Sequence, residues 1–202
     1  MSSSALRLAV IAGTTRPGRV SLAVTEWTAS TLKAAGASYV GPLNAQPFAI
    51  EVVDIEKFNL PVLDEPTPAQ FQQYKKDHTK AWAAKLNEFD AYIFVTGEYN
   101  HSVPPALTNA LSFVAKELNN KAAGFVSYGS AGGVRAVEHL RCILSELEVA
   151  HVRNSVQLSL FQDFENFSTF KPRDMHTSSV ISVAKQLHGW AAALRTLREA
   201  KK

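Results

Sequence analysis

LRLAVIAGTTRPGRVS, residues 6–21, is the stretch on which the reading of the fold turns. Its first seven residues are apolar except for Arg7, which is the pattern of a strand buried on both faces. The next nine hold two glycines, Pro17, three hydroxyl residues and two arginines. A helical pattern follows to residue 35. A buried strand that runs through a short polar turn into a helix opens a βαβ unit.

The same alternation repeats outward along the chain. Further strands are predicted over 49–55 (AIEVVDI), 91–95 (AYIFV), 122–128 and within 151–160. Helices are predicted over 20–35, 80–89, from Pro104 or Pro105 onward, over 134–147 and over 178–198, since proline is tolerated in a helix's first turn. In the third, Leu107, Leu111 and Val114 share a face. In the fourth, Val134, Val137, Leu140, Leu144 and Leu147 point inward. In the last, Val180, Val183, Leu187, Trp190, Leu194 and Leu197 form an apolar stripe. Five strands alternating with five helices give an α/β fold. It is expected to be a flavodoxin-like, doubly wound five-stranded parallel sheet of order 2-1-3-4-5, with helices on both faces. No linker composition interrupts it, so residues 1–202 read as a single domain. The stretch 56–79, with Pro61, Pro66 and Pro68, is too long for an ordinary connection and is expected to be a lid or a contact surface.

In an open parallel sheet, ligands bind beyond the carboxyl ends of the strands, where strand order reverses. For this order the loops after strands one, three and four meet there, and they are the most unusual segments of the sequence. The first, Gly13 to Ser21, can offer free helix amides, the hydroxyls of Thr14, Thr15 and Ser21, and the charge of Arg16 or Arg19 to a phosphate. It lacks the Lys-Ser/Thr of a Walker A loop and is not G-x-G-x-x-G. The second, TGEYNHSVPP (96–105), presents backbone amides with Tyr99 or His101 beside them, suited to the polar edge of a flat ring. The third, SYGSAGG (127–133), has glycines that let backbone approach a ligand closely. An ordinary capped turn accounts for each loop taken singly; their coincidence at one edge does not reduce to that.

These segments resemble the NAD(P)H-dependent FMN reductase family, which includes flavodoxin-like quinone, azo and chromate reductases. The family's G-S-x-R stands here as Gly13-Thr14-Thr15-Arg16. Its P-x-Y-N-x-S/G-x-P-x-x-L-K-N-A segment stands as residues 97–110, and its G-x-x-G-G as residues 129–133. The resemblance covers about residues 5–160. It implies that Thr14, Arg16, Arg19 and Ser21 surround an FMN phosphate, that Glu98, Tyr99, Asn100 and His101 line the flavin ring, and that Ser127, Tyr128 and Gly129 meet its other edge. It also implies hydride transfer from NADPH or NADH to a small acceptor in ping-pong order, without a catalytic side chain, in a homodimer or homotetramer. Three departures stand out. Thr14 replaces serine and keeps the hydroxyl. Gly97 replaces proline, which is expected to loosen its loop. Thr108 replaces lysine.

Other classes fit less well. A net charge of +3 with no basic stripe argues against nucleic acid as a partner. The six histidines lack metal-ligand spacing. Ser130 does not stand in a G-x-S-x-G elbow. Cys142, the sole cysteine, is expected to be a structural thiol in the fourth helix, and its solitude fits a reducing compartment. Residues 1–7 lack the ordered regions of a signal peptide and no run is long enough to span a bilayer, so a cytoplasmic site is expected. The rival reading is a flavodoxin-type electron carrier without its own NAD(P)H activity. Such carriers are strongly acidic, whereas this chain has a pI near 9.0. A regulatory protein that kept the fold and lost the flavin is disfavoured by the phosphate loop. Phe161, Phe164, Phe167 and Phe170 are expected to anchor a loop or, with 56–79, to cover a neighbour's flavin.

Overall fold

A computed structural model describes residues 4–200; residues 1–3 and 201–202, including part of the N-terminal stretch read above for a signal, lie outside the described residues. The sheet is formed by β1 (Arg7–Ala12), β2 (Ala49–Asp54), β3 (Ala91–Thr96), β4 (Ala122–Gly129) and β5 (Ala150–Ser159). All neighbours pair in parallel and the order is β2-β1-β3-β4-β5. The helices are α1 (Ser21–Ala35), α2 (Asp77–Asn87), α3 (Pro105–Ser112), α4 (Val134–Glu146) and α5 (Met175–Ala200).

Alternation along the strands divides the core into two layers, because successive side chains leave a strand on opposite faces. Leu8, Val10, Ile93, Val95 and Val126 face α1 and α5. Ala9, Ile11, Tyr92, Phe94 and Phe125 face α2, α3 and α4. Burial on both faces is why β3 and β4 are apolar throughout, every residue of each being buried. The helices on both sides leave only the strand ends open to ligands.

Two helices begin three residues ahead of the sequence reading, and in each case the reason is a distant carboxylate. Glu65 accepts from the backbone N–H groups of Lys75 and Lys76, so α2 starts at Asp77. Asp163, fully buried, accepts from Arg173 N (3.1 Å) and from the His176 ring (3.0 Å) and starts α5 at Met175. Asp163 also accepts from Ser159 N at 2.8 Å. It thereby ties the end of β5 to α5 across a small hairpin of β6 (Phe164–Glu165) and β7 (Thr169–Phe170), an addition to the expected fold. Phe164 and Phe170 pack against each other at a tilt in this hairpin as anchors, whereas Phe161 and Phe167 are exposed and touch each other edge to face. The long stretch after β2 carries two short 3-10 turns, Ile55–Phe58 and Ala69–Phe71. Asn109 on α3 straps it by donating to Pro61 O and accepting from Leu63 N.

Three expectations fail. Cys142 is exposed rather than packed, since α4 turns Val137, Leu140 and Leu144 to the sheet and leaves position 142 on the outer side. Val134 and Leu147 at the ends of that stripe are only partly buried. The α5 stripe also departs from its expected residues: Val180, Val183 and Leu187 are buried, but Trp190 and Leu197 are exposed, and the buried face continues through Ala191 and Ala192 instead.

Candidate cofactor site at the carboxyl edge of the sheet

The three loops do meet. Arg16 lies over the Tyr99 ring, 5.7 Å from its centroid, which joins the first loop to the second. The Tyr128 ring packs against Gly97, 3.2 Å from the position a Cβ there would take, which joins the third to the second. Gly13 N donates to Val95 O at 2.9 Å, and a Cβ on Gly13 would sit 2.7 Å from that oxygen, so the first turn is seated directly on β3.

The first loop separates its two arginines. Arg19 makes a two-pronged ion pair with Asp54, at 2.7 Å on both prongs, also reaches Glu56, and donates to Thr14 O at 2.8 Å. Burial would raise the Asp54 carboxyl, but the hydrogen bonds from Arg19 outweigh it and hold it below the ordinary carboxylate range. The charge of Arg19 is therefore neutralised, and its work is to fasten the turn to the end of β2. Arg16 is exposed and forms no ion pair among the described residues. Thr14 and Ser21 are fully buried and bonded to each other at 2.7 Å.

Three helices begin at this edge, and their N-termini differ. Helix α4 is capped by Glu98, which accepts from Arg135 N (3.0 Å), Ala136 N (3.4 Å) and Arg135 Nε (2.6 Å). Burial works to raise this carboxyl, but Arg135 and the two amides keep it below its usual range. Its anion position is thus already filled, and the Glu98 side chain faces α4. Helix α3 starts with Pro105 after Pro104, neither of which has an N–H. Helix α1 starts after Val20 with no side-chain cap and no acidic residue in its first turn. It is the N-terminus of the three that leaves amides for an external anion.

The second loop is a tight two-residue turn. Tyr99 and Ser102 exchange both backbone hydrogen bonds, at 3.0 and 2.9 Å, and Asn100 and His101 between them have φ of 50° and 63°. Consecutive positive φ values mark a primed turn, which asparagine tolerates better than most side chains. Both residues are exposed at its tip. Gly97 does not loosen this loop: the Tyr128 ring packs where a side chain would stand, and Thr96 Oγ1 donates to Gly97 O at 2.8 Å. In the third loop, Ser127 is buried and donates to Gly132 O at 2.6 Å, so its hydroxyl holds the turn closed. Gly129 is buried and its carbonyl accepts from Gly132 N and Leu160 N.

Sequence reasoning missed the ion pair of Arg19 with Asp54 and the cap of α4 by Glu98. The signals were present: an aspartate ends β2, and a glutamate follows the central strand. Their partners, however, are 35 and 37 residues away. A cavity of about 200 Å³ lies at this edge between Thr15, Leu60 and Asn109. A larger one, about 890 Å³, is walled by Pro66, Tyr74, Leu111 and Ile143 and contains no residue of the three loops. The larger hollow lies against the C-terminal ends of α3 and α4, away from the three loops. Thr108, where the family has lysine, lines that larger cavity.

The fold and the anion-ready turn at its switch point define a flavodoxin-like protein. The chain belongs to the NADPH-dependent FMN reductase family, whose sequence profile matches residues 6–163. It is 31% identical over 150 residues to NAD(P)H-dependent FMN reductase LOT6 of Saccharomyces cerevisiae, covering 71% of this chain and 76% of that one. It is 36% identical over 134 residues to NAD(P)H-dependent FMN reductase ntnL of a Nectria species, covering 64% of this chain but only 63% of the relative. Among solved structures, the NAD(P)H:(acceptor) oxidoreductase FerB of Paracoccus denitrificans superposes with a TM-score of 0.64 at 16% identity, over 92% of this chain and 97% of that one. No helix of the described residues is long and apolar enough to cross a membrane.

Proposed function

We propose that this chain is an FMN-dependent reductase that oxidises NADPH or NADH and reduces a small acceptor such as a quinone, a free flavin, an azo compound or a metal oxyanion. The observation that carries the reading is the first turn of α1, uncapped and without acid, with the unpaired Arg16 beside it. A dianionic phosphate satisfies such a turn, and the other helix starts at this edge are closed to one. The residues present therefore fit FMN. When bound, it supplies the redox chemistry, accepting hydride from the nicotinamide and releasing electrons to the acceptor.

The protein's contribution is binding and orientation. Arg16 supplies the charge. Arg19 and Asp54 hold the turn in place, with Thr14 and Ser21 bonded inside it. Tyr99, Asn100 and His101 would line the ring, with Glu98 holding Arg135 at the start of α4. The backbone of Ser127, Tyr128 and Gly129 would meet its other edge. No side chain is needed as acid or base. NAD(P)H and acceptor are expected to use one site in turn, in ping-pong order. The reading includes a cytoplasmic location and a homodimer or homotetramer; the exposed Val62, Phe71 and Trp190 support the assembly alone.

Loading the purified chain with FMN tests this. A yellow protein that consumes NADPH or NADH steadily with a quinone is the expected outcome. A chain that takes up no flavin defeats the reading, and one that binds flavin but oxidises no nicotinamide is a carrier. Parallel lines in initial-rate plots against both substrates are expected, and intersecting lines would exclude alternate use of one site.

The two arginines are expected to respond differently. Arg16→Ala should raise the FMN dissociation constant about tenfold or more, with little change in the urea midpoint, since a charge-assisted bond contributes about 1.5–3 kcal/mol. Arg19→Ala should lower stability by about 3 kcal/mol, because it leaves the Asp54 carboxylate, itself nearly buried, without its partner. Equal effects of the two on both measurements would refute this division of labour.

A further inference from the structure

We propose that His139 is a positioning residue for the ring end of the cofactor site, acting through Ser102 on the turn that carries Asn100 and His101. This role rests on the FMN reading of the site. Ser102 does not cap α3, whose start has no side-chain cap. Its hydroxyl is instead hydrogen-bonded to Nδ1 of His139, 3.0 Å away on α4. The arm of the turn that ends at Ser102 runs on through Val103 into Pro104 and Pro105, which have no N–H to tether it. The other arm is tied to the same helix. Glu98 there accepts from Arg135 N (3.0 Å), Arg135 Nε (2.6 Å) and Ala136 N (3.4 Å). Arg135 and His139 are four residues apart, so they stand one above the other on one face of α4.

Both arms of the turn are therefore bonded to one helix face, one helical turn apart. Between these points Tyr99 and Ser102 exchange backbone bonds at 3.0 and 2.9 Å, and Asn100 and His101 stand at the tip with φ of 50° and 63°. The paired backbone sets the shape of the turn but not its tilt against the sheet. A single tether at Glu98 leaves the turn free to swing about it, and the second at Ser102 removes that freedom. Less motion then remains to be lost when a flat ring settles against Asn100 and His101. The Tyr99 ring, with Arg16 over it at 5.7 Å, is carried by the same turn. His139 is exposed and stands apart from the buried residues of α4, so its bond to Ser102 is not a by-product of core packing.

The test titrates FMN, and riboflavin, which carries the same ring without the phosphate, against the apoprotein by flavin fluorescence. His139→Ala is expected to weaken both flavins about threefold to fivefold, since one ordinary hydrogen bond is lost from the support of the ring contacts. Ser102→Ala should reproduce that loss. The double variant should bind no more weakly than either single one, because removing both partners of one bond is not additive. This cycle is read with FMN alone, so it decides even where riboflavin binds too weakly to titrate. His139→Asn, whose side-chain amide can stand where Nδ1 stands, should restore most of the affinity. A loss confined to FMN would put the effect at the phosphate end and overturn the proposal, as would unchanged affinity for both flavins or additive losses in the double variant. A role in stability alone would lower the urea midpoint and leave His139→Asn no better than His139→Ala, and that result also refutes it. Wild-type protein that binds neither flavin overturns the cofactor reading itself, whereas wild type that binds FMN beside variants of unaltered affinity overturns only the role of His139.

Discussion

Gly133→Ala is expected to lower the stability of the fold by about 3 kcal/mol and to abolish tight FMN binding. Gly133 has φ of 73°, in the left-handed region, where a Cβ costs about 1–2 kcal/mol. Its surroundings add to that. An added Cβ would meet Ser127 Cβ at 2.8 Å and the backbone N and O of Tyr128 at 3.0 Å. None of these can yield easily, since Ser127 and Tyr128 are the end of a strand buried on both faces. Relief requires the third loop to open, which breaks the bond from Ser127 Oγ to Gly132 O and shifts Tyr128 where it packs against Gly97. Gly18→Ala is the control. Its φ of 72° is nearly the same, yet nothing lies within 4 Å of its Cβ position, so only the dihedral cost of about 1 kcal/mol is expected. Urea unfolding of the two variants, with flavin titration, checks the difference. Equal midpoints would show that the crowding at Gly133 is relieved without cost.

Stability is expected to rise with pH from 7 to 9 by about 2 kcal/mol, and Lys121→Met should remove most of that slope. Lys121 is 4% exposed at the other end of the sheet. Its ammonium donates to Leu86 O, Asn87 O and the Tyr92 hydroxyl and so closes the C-terminus of α2. Burial, with Arg198 nearby, pushes its pKa down to about 7, against the attraction of Asp90 and Glu117. The unfolded chain keeps this proton up to about pH 10.5, whereas the folded chain releases it near 7. Between those values the unfolded state binds more protons, so raising the pH favours the folded state. The direction reverses above about pH 10, because burial raises the phenols of Tyr39 and Tyr128 in the folded protein. Urea midpoints measured at intervals from pH 7 to 9 test this, and a variant with an undiminished slope would assign it to another group.

Much of the architecture was legible because it depends on local patterns. The continuous apolar runs of β1, β3 and β4 mark strands covered on both faces, and the helical stripes between them require parallel crossovers. The three loops were recognisable by composition. Boundaries failed where a distant group set them, as at α2 and α5, whose starts are held by Glu65 and Asp163. Burial failed where a small residue took the buried face in place of a large one, as at Trp190, exposed beside the buried Ala191. Cys142 was misplaced because its neighbours in the chain face inward and it does not.

The site divides in the same way. The sequence by itself determined which residues gather at the carboxyl edge, since strand order and loop composition follow from local chemistry. It could not assign their tasks. Thr14, Arg16, Arg19 and Ser21 read alike as phosphate ligands from one loop, yet only Arg16 keeps a free charge. Arg19 is neutralised by Asp54 from β2, Glu98 closes the amides of α4, and the Tyr128 ring packs against Gly97. Those assignments depend on pairings between residues 35 and 37 positions apart, Arg19 with Asp54 and Glu98 with Arg135. Coulombic and hydrogen-bonding forces act through space over a few ångströms, so only the folded chain decides which neighbour each group meets.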